Sequence, residues 1–277
     1  MSLKRIVQKA LSIFGYRLTR LPAESTLSFE IIEQKRFIDG KSPSSPSQGD
    51  LEKWFRAAET NSIHKWQHYF GIYERHFAPF RGKPIKILEI GVYKGGSLAM
   101  WKSYFGNDTT IVGIDINPAC KRFEKAHDKI HVRIGDQESE SFLASVQREF
   151  GPFDIVIDDG GHTTGQQIQS FLQLYFFAMK SDGIYLVEDL HTNYWPEYIT
   201  YKGDLSFVDL ASELVHHLHD VYRGKNVNLS RFDVRNVERF KALEVSNFCA
   251  HTRSIHFYDS VIVFERETKK IPYHEER

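Results

Sequence analysis

Apolar positions along the chain follow two different periods, and the switch between them predicts the architecture. Leu3, Ile6, Val7, Ala10, Leu11, Ile13 and Phe14 recur at helical spacing, with Lys4, Arg5 and Lys9 off that stripe and Arg17 and Arg20 after it. Residues 41–50, KSPSSPSQGD, have no period and read as a linker. Residues 51–80 are helical in tendency and rich in aromatics (Trp54, Phe55, Trp66, Tyr69, Phe70, Tyr73, Phe77, Phe80), as expected of a cover over one edge of the next domain. From residue 84 short apolar runs alternate with helical stretches. The runs 85–90, Thr110–Asp115, His131–Ile134, Phe153–Asp158 and Gly183–Glu188 predict five buried strands. Helices are expected over Gln166–Lys180, with Thr163 or Thr164 as N-cap, and over 204–222. Two final strands, Ser254–Tyr258 and Val261–Glu265, are separated only by Asp259-Ser260, which forces an antiparallel hairpin. The prediction is an α/β fold with a helical N-terminal extension: a doubly wound sheet of five parallel strands closed by the hairpin.

This pattern divides the chain into a basic amphipathic segment (1–40), a Ser/Pro linker (41–50), a helical cover (51–82) and an α/β domain (83–267), with a polar, frayed end at 268–277. Lys9 interrupts the first apolar stripe and no small-residue cleavage site follows, which does not fit a signal peptide. Two readings stay open for residues 1–20: packing on the protein or a second subunit as a homo-oligomer, or peripheral contact with an anionic membrane surface.

Composition narrows the function classes. Lys+Arg and Asp+Glu both number 36, so no global charge steers the chain to nucleic acid. The two cysteines, Cys120 and Cys249, form no Cys-x-x-Cys, so neither a disulfide framework nor a thiolate zinc site is indicated. No apolar run approaches the length needed to cross a bilayer. A cytoplasmic enzyme, with or without contact at the inner membrane face, fits these bounds.

The candidate chemistry lies at strand ends. The stretch IKILEIGVYKGG runs from a strand into Gly91, Gly95 and Gly96, and Ser97 opens a helix; this geometry brings bare backbone close to a cofactor. Glu89, an acid inside an apolar run, calls for a partner there. Its Glu-x-Gly-x-x-x-Gly spacing departs from the dinucleotide fingerprint and disfavours nicotinamide cofactors. Asp115 closes the second strand and can accept two ribose hydroxyls, while Asp136 and Gln137 at the third strand end can read an adenine edge. The fourth strand ends Asp158-Asp159-Gly160-Gly161-His162 and the fifth Glu188-Asp189-Leu190-His191. Neighbouring strands lie about 5 Å apart, so four carboxylates are expected to converge, and a hard divalent cation such as Mg2+ resolves their repulsion. His162 is then placed to take a proton from a hydroxyl polarised by that cation, with His191 a second candidate. His216, His217 and His219 read as a solvated helix face, and His64, His68 and His76 as packed or solvated.

Five parallel strands plus a hairpin is the Rossmann-like topology of class I methyltransferases. The stretches ILEIGVYKGGSLAMWKSYF, VGIDI, GDQ, GPFDIVIDDGGH, GIYLVEDL and HFYDSVIVFER resemble the magnesium-dependent sugar O-methyltransferases of macrolide biosynthesis, the mycinamicin VI and demethylmacrocin deoxysugar enzymes. The similarity spans about residues 60–265, including HKWQHYFGIYERHFAPFR. It implies S-adenosyl-L-methionine as methyl donor, Asp159, Glu188 and Asp189 as metal ligands, and His162 as general base. Glu89, Asp115, Asp136 and Gln137 match the cofactor pocket, to which Gly91, Gly95, Ser97 and Asp158 are added. Two departures stand out: a short basic helix and linker take the place of the family's long N-terminal domain, and Gly161 stands where serine is common. The start, KRIVQKALSIFGYRLTRLP, is similar to leaders on bacterial methyltransferases of surface polysaccharides.

The expectation is a metal-assisted O-methyltransferase acting on a sugar hydroxyl of a surface polysaccharide or glycosylated natural product, with Tyr194 and Trp195 stacking on the acceptor. A hydroxylase-like enzyme using the acids for iron, and a non-catalytic glycan-associated module, remain alternatives.

Overall fold

The computed structural model describes residues 49–58, 63–223, 232–233 and 244–276. The N-terminal segment and nearly all of the linker predicted above lie outside them.

Two helices, α1 (Asp50–Ala57) and α2 (Tyr69–Phe77), precede the sheet, and residues 63–66 before α2 belong to no helix or strand. The parallel strands are β1 (Lys86–Ile90), β2 (Thr110–Asp115), β3 (Ile130–Ile134), β4 (Phe153–Asp158) and β5 (Met179–Val187). Between them run α3 (Gly96–Phe105), α4 (Glu140–Phe150) and α5 (Thr164–Phe177). After β5 come α6 (Phe207–His217), the short α7 (Asn247–His251) and the hairpin β6 (Thr252–Tyr258) and β7 (Val261–Arg266). The sheet order is β3-β2-β1-β4-β5-β7-β6, with β7 antiparallel to both neighbours. This is the expected class I arrangement, and the β1/β4 junction, where the winding reverses, opens a crevice at the C-terminal strand ends.

Local chemistry explains the boundaries. Thr163 caps α5, and Gln166 completes a capping box. The predicted helix 204–222 is shorter: Ser206 caps it, also with a capping box, and the α-helix stops at His217. The aromatic cover is likewise interrupted, α1 and α2 being separate helices.

The central strands β1, β2 and β4, the C-terminal half of β5, and β7 are buried on both faces, so their alternate residues enter two separate cores. Ile87, Ile155 and Leu186 pack with Tyr73, Phe77 and Trp101 from α2 and α3. Leu88, Val156 and Val187 pack with Phe171 and Tyr175 from α5 on the opposite face. This alternation decides which strand-end acids can meet.

Candidate functional site

At the β1–α3 turn the backbone must pass the end of β4 almost in contact. Gly91 has φ +93°, and a Cβ there would lie 1.9 Å from the Asp159 carbonyl oxygen. Only glycine fits that approach. The turn is locked by Gly91 N–H donating to Ile114 O (2.8 Å) and by Asp159 N–H donating to Ile90 O (3.0 Å). Gly95, at φ +73°, caps α3.

One cavity follows this turn from the ends of β2 and β3 to those of β4 and β5. Its lining includes Gly91, Ser97, Asp115, Asp136, Gln137, Asp159, His162 and Asp189. Tyr93, His162 and Asp189 also line it and hold positive φ (+49°, +61° and +59°), the backbone strain that a fold retains where a site requires it.

At the β2 end, Asp115 accepts the backbone N–H groups of Val92 and Tyr93 (both 3.0 Å) and of Asn117 (2.8 Å). Burial alone would raise its pKa, but these donors outweigh it and hold the carboxyl below its ordinary value. The residue predicted to meet a ribose therefore also braces the glycine turn. Asp136, exposed, accepts Glu138 N–H at 2.9 Å. Gln137 is buried instead: its Oε1 accepts Gly161 N–H (2.9 Å), and its Nε2 donates to Asp158 Oδ1 (3.2 Å) and Ser170 Oγ (3.1 Å). It shapes the His162 loop.

At the β4 and β5 ends three acids converge, not four. Asp158 follows Val156 onto the α5 face, where Gln137 and, at 3.4 Å, the Tyr185 hydroxyl donate to it. Burial pushes it to about 7, against those donors. Its predicted place in the cofactor crevice is corrected accordingly, since the period of two turns it away. Glu89, counted with the cofactor residues, is likewise fully buried beneath the turn; Ser97 Oγ and Trp101 Nε1 donate to it, each at 2.8 Å. Gly95 lies behind the lining as well.

Asp159 and Glu188 meet on a residue not singled out from the sequence, Lys65, and Asp189 lies beside them. Lys65 Nζ, nearly fully buried, pairs with Asp159 and with Glu188 Oε1 (2.5 Å). Burial would lower the lysine pKa, but the two carboxylates outweigh it and hold the ammonium above its ordinary value. Tyr73 OH donates to the other Glu188 oxygen (2.5 Å), and Tyr69 OH to Asp189 Oδ1 (2.8 Å). Burial pushes Glu188 and Asp159 up to about 7 each, with Lys65 opposing. Lys65, Tyr69 and Tyr73 recur every four residues, the one sequence signal that could have revealed them.

His162 Nε2 faces the cluster, 3.5 Å from Asp189 Oδ2 and 3.9 Å from Asp159 Oδ1, while its Nδ1 is buried without a partner. Burial pushes its pKa below the ordinary value, against the pull of Asp189 and Glu188. Asp159, His162 and Asp189 present ligand atoms within 4.8 Å of one another. Three carboxylates face one ammonium, and the surplus negative charge and hard oxygen donors fit a divalent cation. Glu188, predicted as a ligand, has both oxygens engaged by Lys65 and Tyr73 in this arrangement. His191 Nδ1 lies 2.7 Å from Ser260 Oγ, and its ring stands between Trp66 and Trp195 with centroids 5.6 and 5.0 Å away. Trp195 is 44% exposed and Tyr194 74%, both outside the cavity lining.

Residues 88–190 match a family model described as "Methyltransferase domain". The chain is 41% identical over 157 residues to a Streptomyces olivaceus 8-demethyl-8-(2-methoxy-alpha-L-rhamnosyl)-tetracenomycin-C 3'-O-methyltransferase, covering 54% of this chain and 39% of that protein. It is 31% identical over 237 residues to a tetracenomycin-C rhamnosyl 2'-O-methyltransferase of the same organism (77% and 61% covered). Against the Micromonospora griseorubida mycinamicin VI 2''-O-methyltransferase it is 43% identical over 134 residues (45% and 32%). The chain thus spans only 32% to 61% of these relatives' lengths. Among solved structures, the MycE methyltransferase of the mycinamycin pathway, in complex with Mg, SAH and mycinamycin VI, superposes with TM-score 0.65 at 26% identity, covering 80% of this chain and 55% of that one. The chain carries a methyltransferase domain over residues 88–190, and its homologues are sugar O-methyltransferases.

Proposed function

We propose that the protein is an S-adenosyl-L-methionine-dependent, divalent-metal-assisted O-methyltransferase whose acceptor is a sugar hydroxyl. The observation that carries this reading is the single cavity joining Asp115 and the Gly91 turn to Asp159, His162 and Asp189. A crevice that runs from Asp115 to this acid cluster supports a nucleoside cofactor at one end and a cation at the other. The solved relative was captured with Mg and SAH, and the residues present here suit both.

Asp115 and the exposed Asp136 would hold the ribose and adenine end, with bare backbone at Gly91 against the chain of the cofactor. Asp159 and Asp189 would hold the cation, and Glu188 would join them if Lys65 swings away. Bound there, Mg2+ supplies Lewis acidity that lowers the pKa of an acceptor hydroxyl, and the cofactor supplies an activated methyl group. His162, kept neutral by burial, takes the hydroxyl proton on Nε2, the nitrogen that faces the acids. Asp189, whose Oδ2 lies 3.5 Å from that nitrogen, stabilises the imidazole once it is charged. Trp66, His191 and Trp195 form an aromatic rim able to stack on a sugar ring.

The acceptor belongs to a glycosylated natural product or a surface polysaccharide, and the basic helix predicted for residues 1–20 would suit a lipid-linked glycan. The division into N-terminal segment, linker, cover and methyltransferase domain is kept as part of this reading. The test is calorimetric titration with S-adenosylhomocysteine and, separately, NAD, followed by methyl transfer to sugar acceptors with Mg2+. Binding of S-adenosylhomocysteine alone, weakened in Asp115→Ala, supports the reading; NAD binding removes it. His162→Ala is expected to keep cofactor and Mg2+ affinity yet lose at least about a hundredfold in turnover. A parallel loss of Mg2+ affinity would make His162 a metal ligand instead of the base. Strict dependence on iron and oxygen would favour a hydroxylase.

A further inference from the structure

A second cluster lies away from the crevice, where α2 packs against the β6–β7 hairpin. His76, His256 and Glu265 each bring one ligand atom to within 4.8 Å of the others. His76 sits in the last turn of α2 and is buried, and His256 and Glu265 extend from the two strands of the hairpin. His76 Nδ1 is 3.0 Å from Glu265 Oε1, and His256 Nε2 is 3.6 Å from Glu265 Oε2. A tetrahedral ion with bonds of about 2 Å sets its ligand atoms about 3.3 Å apart, so three donor atoms within 4.8 Å of one another need only small side-chain shifts to close on one.

The surroundings also suit a metal. His76 Nε2 lies 2.9 Å from the Tyr258 hydroxyl, an outer partner of the kind that fixes the orientation of a metal-bound imidazole. Ser254 Oγ donates to Glu265 Oε2 at 2.8 Å and lies 3.0 Å from His256 Nε2, where it can yield to an ion or become a further ligand. The ion-pair contacts of the Glu265 carboxylate are these two imidazoles, with no lysine or arginine among the described residues. The imidazole rings stand 4.7 Å apart, close enough that charging both is unfavourable. A half-buried carboxylate facing two imidazoles offers the mixed nitrogen and oxygen donor set that a tetrahedral cation takes.

We propose that His76, His256 and Glu265 form a second metal site, separate from the crevice, that takes a borderline transition metal of the zinc class through two imidazole nitrogens and a carboxylate. Its role is mechanical. The same helix face carries Tyr69 and Tyr73, which hold Asp189 and Glu188, so a metal tying α2 to the hairpin fixes the hydroxyls that position the acid cluster.

The test is titration of metal-stripped full-length protein with Zn2+ in excess Mg2+, so that the hard site is filled by magnesium. Wild type is expected to bind one zinc equivalent and to gain roughly 5–10 °C in Tm at a hundredfold excess over Kd. Co2+ in its place is expected to give the visible absorption of a four-coordinate site. His256→Ala and the near-isosteric Glu265→Gln should each abolish the zinc equivalent and the cobalt spectrum. His162→Ala should retain both, since its residue belongs to the other cluster. Unaltered zinc binding in both His256→Ala and Glu265→Gln, loss in His162→Ala, or no stoichiometric zinc in wild type would overturn the assignment.

Discussion

The two ends of the crevice hold their carboxylates by different means. At the β2 end, Asp115 is surrounded by backbone N–H donors that favour its charged form. At the β4 and β5 ends, Asp159 and Glu188 share one buried cation, Lys65, Glu188 also accepts the Tyr73 hydroxyl, and burial still pushes both acids to about 7. Fixed dipoles suit an acid that stays charged whatever binds beside it. Acids that outnumber their one buried ammonium suit the cation of the proposed function. Binding of a neutral diol and binding of a cation thus demand opposite electrostatic preparation.

The largest expected effect comes from removing the cation at the acid end. Lys65→Met leaves Asp159 and Glu188 without their buried partner, and the metal-free protein should lose about 3–5 kcal/mol in denaturant unfolding. Mg2+ should restore more of that loss than it adds to wild type; equal gains would mean that Lys65 and the cation do not share a site.

The pH response separates the two ends by sign. An acid whose folded pKa is raised contributes most below its unfolded value, here 3.8 for Asp159 and 4.5 for Glu188, and that contribution fades as pH rises towards about 7. Asp115 has a depressed pKa, so its contribution is present above the ordinary carboxylate range and is lost as pH falls through the folded value. Thermal unfolding of metal-free protein should therefore show a stability decrement between about pH 4 and pH 7, to which the buried Asp158 and Glu89 also contribute, that saturating Mg2+ reduces and Asp115→Asn leaves in place. A decrement unaffected by Mg2+ would place its origin elsewhere.

The smallest effect is expected at the rim. Trp195→Ala should raise acceptor KM several-fold, about 1 kcal/mol of stacking, with kcat and Mg2+ affinity unchanged. An unchanged KM would remove Trp195 from the acceptor site.

Much of this was legible in the chain because the signals are local. The glycines of the β1–α3 turn, the strand periods, the capping box at Thr163 and the two-residue hairpin turn depend on neighbours within a few residues. The acids at successive strand ends were legible for the same reason, once the strands were placed. Assigning each acid to a face was harder. Asp158 and Asp159 are adjacent, yet one turns to Gln137 and the α5 core while the other turns to Lys65 and the cavity.

What the sequence by itself determined is the order of strands and helices, the strained glycine turn and the crowding of acids at one sheet edge, because hydrophobic period and turn chemistry act over short separations. Only the tertiary structure decided which acids meet and what neutralises them. Lys65 reaches its partners across 94 and 123 residues, and His76 reaches Glu265 across 189. Such pairings are set by how α2 lies across the sheet, a consequence of packing aromatic side chains into a shared core that no local pattern encodes.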